Sequence, residues 1–201
     1  MSSSTPCTSA PERRAAMPHR RTLLMASAAS LLTGLAPTGW TQTAAPAEVS
    51  AQLSGAQLAG TARMRFFGFN IYDATLWITP GFRASRYEQT PLALELNYLR
   101  GLSGHAIAER SLKEMRRSAD ITPAQAQRWL ADMQVAFPDV NAGDRLTGLH
   151  RPGVGARFWL NGQPRADLRD AEFSRLFFGI WLAPATSEPQ LRSELLARAA
   201  P

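Results

Sequence analysis

The chain has 201 residues, with 22 Lys and Arg, 16 Asp and Glu and a formal net charge of +6. Residues 48–201 keep 18 basic and 15 acidic residues, without a cluster of basic and aromatic side chains, so nucleic acid is not an expected partner. The single cysteine, Cys7, precedes this part, which excludes a disulfide or a thiol nucleophile there. Two distant histidines, His105 and His150, do not predict a metal site, and no motif predicts a cofactor.

An export signal is predicted at the N-terminus. Arg20 and Arg21 precede an apolar run over residues 23–36, and small residues lead to a cleavage site between Ala44 and Ala47. The run is shorter than the about 20 apolar residues that span a bilayer, so a cleaved signal is favoured over an anchor. We expect residues 1–47 to be removed through the twin-arginine or the general secretory machinery. Residues 48–201 would then form one periplasmic or otherwise exported domain without a transmembrane segment.

The first half of this domain is predicted to consist mainly of strands. Residues 57–67 and 69–78 are rich in aromatic and β-branched side chains, and Gly68 between them predicts a bulge or bend. Residues 92–99 alternate between apolar and polar side chains, as expected for a strand with one face buried. This apolar face requires a covering layer.

Helices and further strands follow. Ser103 predicts the start of a helix that runs to about Ser118, and Thr122 followed by Pro123 predicts a second start. Asn161-Gly162 is the strongest hairpin signal in the chain. The remaining predicted elements are strands over 145–149, 156–160 and 163–168 and helices over 170–181 and from 187 onward. Strands and helices without regular alternation predict an α+β fold, with helices on one side of an antiparallel sheet.

Four side chains in the strands are candidates for a binding site. Arg63 and Arg65 lie two apart and therefore share one face of their strand. They either face solvent or form the cationic end of an apolar pocket, where a guanidinium suits a carboxylate or a phenolate. Tyr72 and Tyr98 are expected on inward faces, either as packing residues or as hydroxyl donors to a ligand.

The predicted helix over 170–181 carries an aromatic stripe. Phe173, Phe177 and Trp181 recur at the helical period and form the widest apolar face in the chain. The stripe is either core or the wall of a cleft, and these roles are compatible where a helix layer does not close fully on a sheet.

Several segments together resemble chalcone isomerase-like proteins, in particular their exported bacterial branch. The resemblance covers about residues 50–198, with the elements in the same order. The segments that carry it are residues 64–77, 94–100, 107–111, 137–144, 155–162 and 173–182.

The resemblance implies an open-faced β-sandwich, in which a large antiparallel sheet is covered by helices with a ligand cleft between them. The family's arginine is matched best by Arg63, within Gly60-Thr-Ala-Arg63, and Arg65 is the alternative. The family's strand threonine falls at Tyr72, and its catalytic tyrosine and asparagine fall near Ser103 and Arg110. Because neither the catalytic tyrosine nor the catalytic asparagine is present at these positions, the resemblance does not predict chalcone ring closure.

Three hypotheses follow for function. The first is a non-catalytic binding protein for a small amphiphile, such as a fatty acid or an aromatic acid. Its ligand would contact Arg63 or Arg65, Tyr72, Tyr98 and Arg110. The second is an isomerase or intramolecular lyase of the chalcone isomerase type, which requires a proton donor such as tyrosine. The third is an interaction protein of the cell envelope, which predicts a filled core without a cleft.

Overall fold

The computed structural model describes residues 44–201, and nearly all of the predicted export segment lies outside this range. Six strands form one antiparallel sheet in the order β1 to β6, so that neighbours in sequence are neighbours in the sheet. The elements are α1 (Ala47–Ser50), β1 (Gln57–Phe66), β2 (Phe69–Ile78), a 3₁₀ helix (Ala84–Gln89), β3 (Leu92–Tyr98), α2 (Gly104–Met115), α3 (Pro123–Ala136), β4 (Arg145–Arg151), β5 (Gly155–Leu160), β6 (Gln163–Leu168), α4 (Ala171–Leu182) and α5 (Pro189–Leu195).

The longer helices begin at capping residues, and the sequence predicts two of these, Ser103 and Thr122. The Ser103 hydroxyl accepts a hydrogen bond from the Ala106 amide at 3.2 Å, which starts α2. Thr122 and Gln125 form a reciprocal capping box at the start of α3. Asp170 accepts from the Phe173 amide at 2.9 Å and starts α4. Each cap binds an amide that has no partner inside its helix, and it thereby fixes where the helix begins.

Two strand pairs are joined by the same kind of two-residue turn. Asn161 and Gly162 connect β5 and β6 with φ values of 50° and 79°, as the sequence predicts. Phe67 and Gly68 connect β1 and β2 with φ values of 47° and 81°. Two positive φ values in succession are typical of a tight hairpin turn. Gly68 therefore belongs to a turn, and the predicted bulge or bend at this position is replaced by it.

Helices α2 to α5 cover one face of the sheet and enclose the main core. The aromatic stripe of α4 occupies its centre, where the ring centre of Phe177 lies 5.6, 5.2 and 5.5 Å from those of Phe137, Phe158 and Phe173. This arrangement confirms the α+β fold and the placement of α2 to α5 on one side of the sheet.

The opposite face of the sheet carries a smaller second core that the sequence did not predict. Helix α1 packs there and contributes Val49, and Leu53 follows from the next turn. The strands contribute Trp77, Ala93, Leu149 and Trp159. Every other side chain of a strand points away from the helices. The apolar side chains of β2 and β4 that point this way therefore need a second core to cover them.

The C-terminal segment lies against the outer edge of β1. The Arg198 amide donates to the Ala59 carbonyl at 2.9 Å. At Gly60 a Cβ atom would lie 2.2 Å from the Glu194 carbonyl oxygen, so only glycine allows α5 to approach this closely. From Ala44 onward, no helix combines the length and the hydropathy that a membrane span requires.

Candidate functional site

A cleft of about 310 Å³ opens at one end of the sheet, between the strands and helices α2 and α4. Its volume is at the lower end of the range of about 300–1,000 Å³ that is usual for small-molecule sites. Phe66, Ala106 and Arg110 are its exposed members and mark its opening. The apolar lining consists of Met64, Phe66, Ile71, Leu96, Leu102, Ala106, Ile107, Leu146, Phe177, Ile180 and Trp181.

A bulge in β2 shapes the strand side of the cleft. Met64 pairs with Tyr72, whereas Arg65 pairs with Asn70, so Ile71 is an extra residue in β2. An extra residue interrupts the alternation of side chains along a strand. As a result, Ile71 and Tyr72 both line the cleft although they are adjacent in the sequence.

Tyr72 presents a hydroxyl group to the cleft. The indole Nε1 of Trp181 donates a hydrogen bond to the Tyr72 hydroxyl oxygen at 3.0 Å. The hydroxyl hydrogen therefore remains available to a ligand. Burial raises the pKa of Tyr72 to about 12, although the bond from Trp181 lowers it in part. Tyr72 is consequently a neutral hydrogen-bond donor at physiological pH.

Tyr98 lies next to Tyr72 on the neighbouring strand. The two rings meet edge to face, with centres 5.9 Å apart. Tyr98 is buried, and within residues 44–201 its hydroxyl has no hydrogen-bond partner. Burial and the neighbouring Tyr72 raise the pKa of Tyr98 well above its ordinary value. A neutral hydroxyl without a protein partner on the wall of a cleft is suited to bind the polar group of a ligand.

Arg110 provides the positive charge of the cleft. Its Nη2 lies 2.9 Å from Oε1 of Glu114, one turn further along α2, and its guanidinium lies over the ring of Phe66 at 5.5 Å. Among the lining residues that the structure describes, Arg110 is the one basic side chain, and Glu114 and Glu188 are acidic. The polar end of the cleft is therefore not net positive.

Glu114 is a lining residue that the sequence analysis missed. Its side chain is 8% exposed, and Oε2 is a buried oxygen without a hydrogen-bond partner in the described part of the chain. Nε of Arg117 lies 3.7 Å from this oxygen, which is beyond hydrogen-bonding distance. The helical spacing of Arg110 and Glu114 could have revealed the pair, but not its burial. Oε2 itself is shielded from solvent, so Glu114 contributes the negative charge of a buried carboxylate to the cleft wall.

Arg63 and Arg65 lie outside the cleft, which corrects their expected position at its cationic end. Nε of Arg63 pairs with Asp73 of β2 at 2.6 Å, and Nε of Arg65 donates to Oδ1 of Asn70 at 3.1 Å. Both arginines are exposed, whereas Met64 between them lines the cleft. Alternation predicted correctly that they share a face, but this face is the one opposite the helices.

The other predicted site residues lie together. Tyr72, Tyr98 and Arg110 all line the cleft, whereas Ser103 serves as the cap of α2. Phe177 and Trp181 of the aromatic stripe form part of the wall, and Phe173 lies behind them in the core. The stripe therefore serves as core and as wall. Among the described residues, no group of His, Cys, Asp and Glu could hold a metal ion.

Comparison with known proteins gives three findings. A family model described as chalcone isomerase-like matches residues 40–197. An uncharacterized protein of Haemophilus influenzae is 30% identical over 142 residues, which cover 71% of this chain and 68% of that protein. A fatty-acid binding protein of Arabidopsis thaliana superposes with a TM-score of 0.55 at 10% identity, over 71% of this chain and 87% of that one. At such low identity the superposition shows the fold alone, and it agrees with the antiparallel sheet and its helix layer.

Proposed function

The chain belongs to the chalcone isomerase-like family, and we propose that it is a non-catalytic protein that binds a small amphiphile in the cleft. The observation that carries this proposal is the unpartnered Tyr98 hydroxyl on the wall of a mostly apolar cleft. The apolar lining would enclose the body of the ligand, and Tyr72 and Tyr98 would donate hydrogen bonds to its polar end. The third hypothesis, an interaction protein with a filled core, does not account for such a cleft.

The first ligand class to test is a fatty acid or an aromatic acid. Two hydroxyl donors suit the carbonyl oxygen of a carboxyl group, and a protein with the same fold is named for binding fatty acids. Glu114 determines whether the polar end of the ligand is favoured in its charged or its neutral form. Its carboxylate repels a second carboxylate, and Arg110, the basic residue of the lining, is already paired with Oε1 of Glu114. We therefore propose that the polar end binds in a neutral form, as a protonated acid or an alcohol.

The test is a binding titration of dodecanoic acid and dodecan-1-ol with the native protein and the variant Tyr98→Phe. The variant removes only a hydroxyl without a protein partner, so its stability should be unchanged or slightly higher. The affinity should fall by about 3- to 10-fold, the equivalent of one neutral hydrogen bond. At neutral pH the alcohol should bind at least as tightly as the acid.

Arg63→Gln is the matched control, because Arg63 lies on the opposite face of the sheet and should leave both affinities unchanged. Equal affinities of Tyr98→Phe and the native protein for both probes would contradict the site. A clear preference for dodecanoate at neutral pH would show instead that Arg110 leaves Glu114 and pairs with the ligand.

The isomerase hypothesis is the second candidate, and one observation favours it. Two phenol donors that face one apolar cleft are an arrangement that can stabilise an oxyanion. However, the pKa of about 12 for Tyr72 makes this hydroxyl a poor proton donor at neutral pH. The test measures how fast chalcone absorbance is lost. A rate with the native protein above that in buffer, and a return to the buffer rate with Tyr72→Phe, would favour this candidate over simple binding.

We also propose that the protein acts in the periplasm or outside the cell. The proposal is supported by the arginines, apolar run and small residues that precede Ala47, and by the absence of cysteine from residues 48–201. The intact mass of the protein from a periplasmic fraction tests it, since a chain that begins between residues 45 and 48 is expected.

A further inference from the structure

The hairpin between β1 and β2 ends in an exposed group of aromatic side chains. Phe66, Phe67 and Phe69 are 46%, 86% and 60% exposed, and with Gly68 they form the phenylalanine tip. Large apolar side chains that are exposed singly are common, but three within four consecutive residues make a continuous apolar protrusion. The tip is also next to the cleft, because Phe66 lines the opening.

The geometry of the turn does not explain why phenylalanine occupies it. The β5–β6 turn has nearly the same backbone angles and contains Asn161, the usual residue for a positive φ. Asn161 also stabilises its turn, since its side chain bonds to the Arg145 amide and to Asp144, each at 2.8 Å. Phe67 has a positive φ of 47° with a side chain that is almost entirely in solvent. A bulky residue in this conformation is uncommon, which points to a role of the exposed ring itself.

Two arginine side chains lie beside rings of the tip. The guanidinium of Arg100 lies 4.9 Å from the centre of the Phe69 ring, and that of Arg110 lies 5.5 Å from the Phe66 ring. Arg65 is the residue before the tip. Arg65 and Arg100 make no ion pair with a carboxylate among residues 44–201. Aromatic rings with unpaired cations behind them match a membrane interface, where rings enter the headgroup region and cations meet anionic phosphates.

We propose that the phenylalanine tip docks on the surface of an anionic phospholipid bilayer. A protein partner is the less suitable occupant, because a stable interface buries about 800 Å² on each side and a convex tip of four residues offers much less. Docking through the tip would place Phe66 and the cleft opening at the lipid surface. If the cleft binds an amphiphile, as proposed above, the ligand could then pass between bilayer and cleft with little exposure to water.

The test is co-flotation of the domain with vesicles made of equal parts phosphatidylcholine and phosphatidylglycerol. The double variant Phe67→Asn/Phe69→Ser removes the exposed rings, and asparagine is compatible with the turn because Asn161 occupies the equivalent one. Vesicle binding of this variant should fall by at least about tenfold, because two apolar side chains no longer enter the interface. Binding of the native protein should also weaken with added salt and on vesicles of phosphatidylcholine alone.

Val135→Ser/Val154→Ser is the control, since it removes exposed apolar surface far from the tip in the sequence and should leave vesicle binding unchanged. The proposal is overturned if the native protein does not float with the anionic vesicles, or if the tip variant floats equally well. Solution affinity of the tip variant for dodecan-1-ol is measured separately. Because Phe66 is retained, this affinity should not change, so failure of membrane docking and failure of ligand binding are distinguishable.

Discussion

The two faces of the sheet are stabilised in different ways. On the helix-covered face, aromatic side chains of α4 pack on the strands, and the cleft lies where this packing stops. On the opposite face, a small apolar core lies beside a charged pair, in which the buried Glu48 contacts the partly exposed Arg145 at 2.8 Å. The comparison shows that the candidate cleft and the bulk of the apolar packing share one face. The other face combines a short N-terminal helix with ion pairs, in which Arg145 contacts both Glu48 and Glu95.

The largest effect is expected from Phe177→Ala on the helix-covered face. Phe177 is buried and contacts five other aromatic rings, so truncation leaves a cavity that its neighbours cannot fill. The free energy of unfolding should fall by about 3–5 kcal/mol. Denaturant unfolding followed by circular dichroism measures the loss. Phe69→Ala, which truncates an exposed ring, should change it little, and a similar loss in both variants would contradict the role of the aromatic cluster.

A smaller effect is expected on the opposite face from Glu48→Gln. Oε1 of Glu48 accepts a hydrogen bond from the Thr147 hydroxyl at 3.0 Å and pairs with Arg145, which is 30% exposed. Loss of one charge-assisted bond should lower the free energy of unfolding by about 1.5–3 kcal/mol, and solvent at Arg145 favours the lower end. Glu109→Gln, in an exposed pair with His105, serves as the control and should have almost no effect. Equal stability of Glu48→Gln and the native domain would show that α1 does not depend on this pair.

The smallest expected effect is a dependence of stability on pH. It arises from His150, which lies on the helix-covered face. Nε2 of His150 faces the Glu88 carbonyl at 3.0 Å and Nδ1 faces the Ser174 hydroxyl at 2.7 Å, which fits a neutral ring that donates to the carbonyl and accepts from serine. Burial lowers the pKa of His150. The unfolded chain therefore binds a proton first, and stability is lost as the pH falls below about 6.5.

Thermal unfolding between neutral and mildly acidic pH, compared with His150→Gln, measures this dependence. One titrating group contributes at most about 1.4 kcal/mol per pH unit, and the variant should lose that part of the slope. Identical slopes for the variant and the native domain would assign the acid sensitivity to other groups.

Local patterns predicted most of the fold and several residues that line the cleft, but other parts of the site escaped them. Side-chain alternation identified β3, and capping residues identified the starts of α2 and α3, because these signals depend on near neighbours. They could not tell which face of β1 meets the helices, so Arg63 was a candidate for the cleft. The bulge at Ile71 and the burial of Glu114 also depend on distant segments, and no local pattern encodes them.

The contact of the C-terminal segment with β1 bears on how the protein avoids self-association. An open six-stranded sheet has two edges, and unpaired edges can recruit strands from other chains into aggregates. At the β1 edge, the Arg198 amide donates a hydrogen bond to the Ala59 carbonyl, which is then not free to pair with another strand. At the β6 edge, Pro164 lacks an amide hydrogen and Arg165 adds a charge, which both disfavour a further strand. The C-terminal residues thus cover part of the β1 edge, and their removal is expected to expose this edge to strand pairing between molecules.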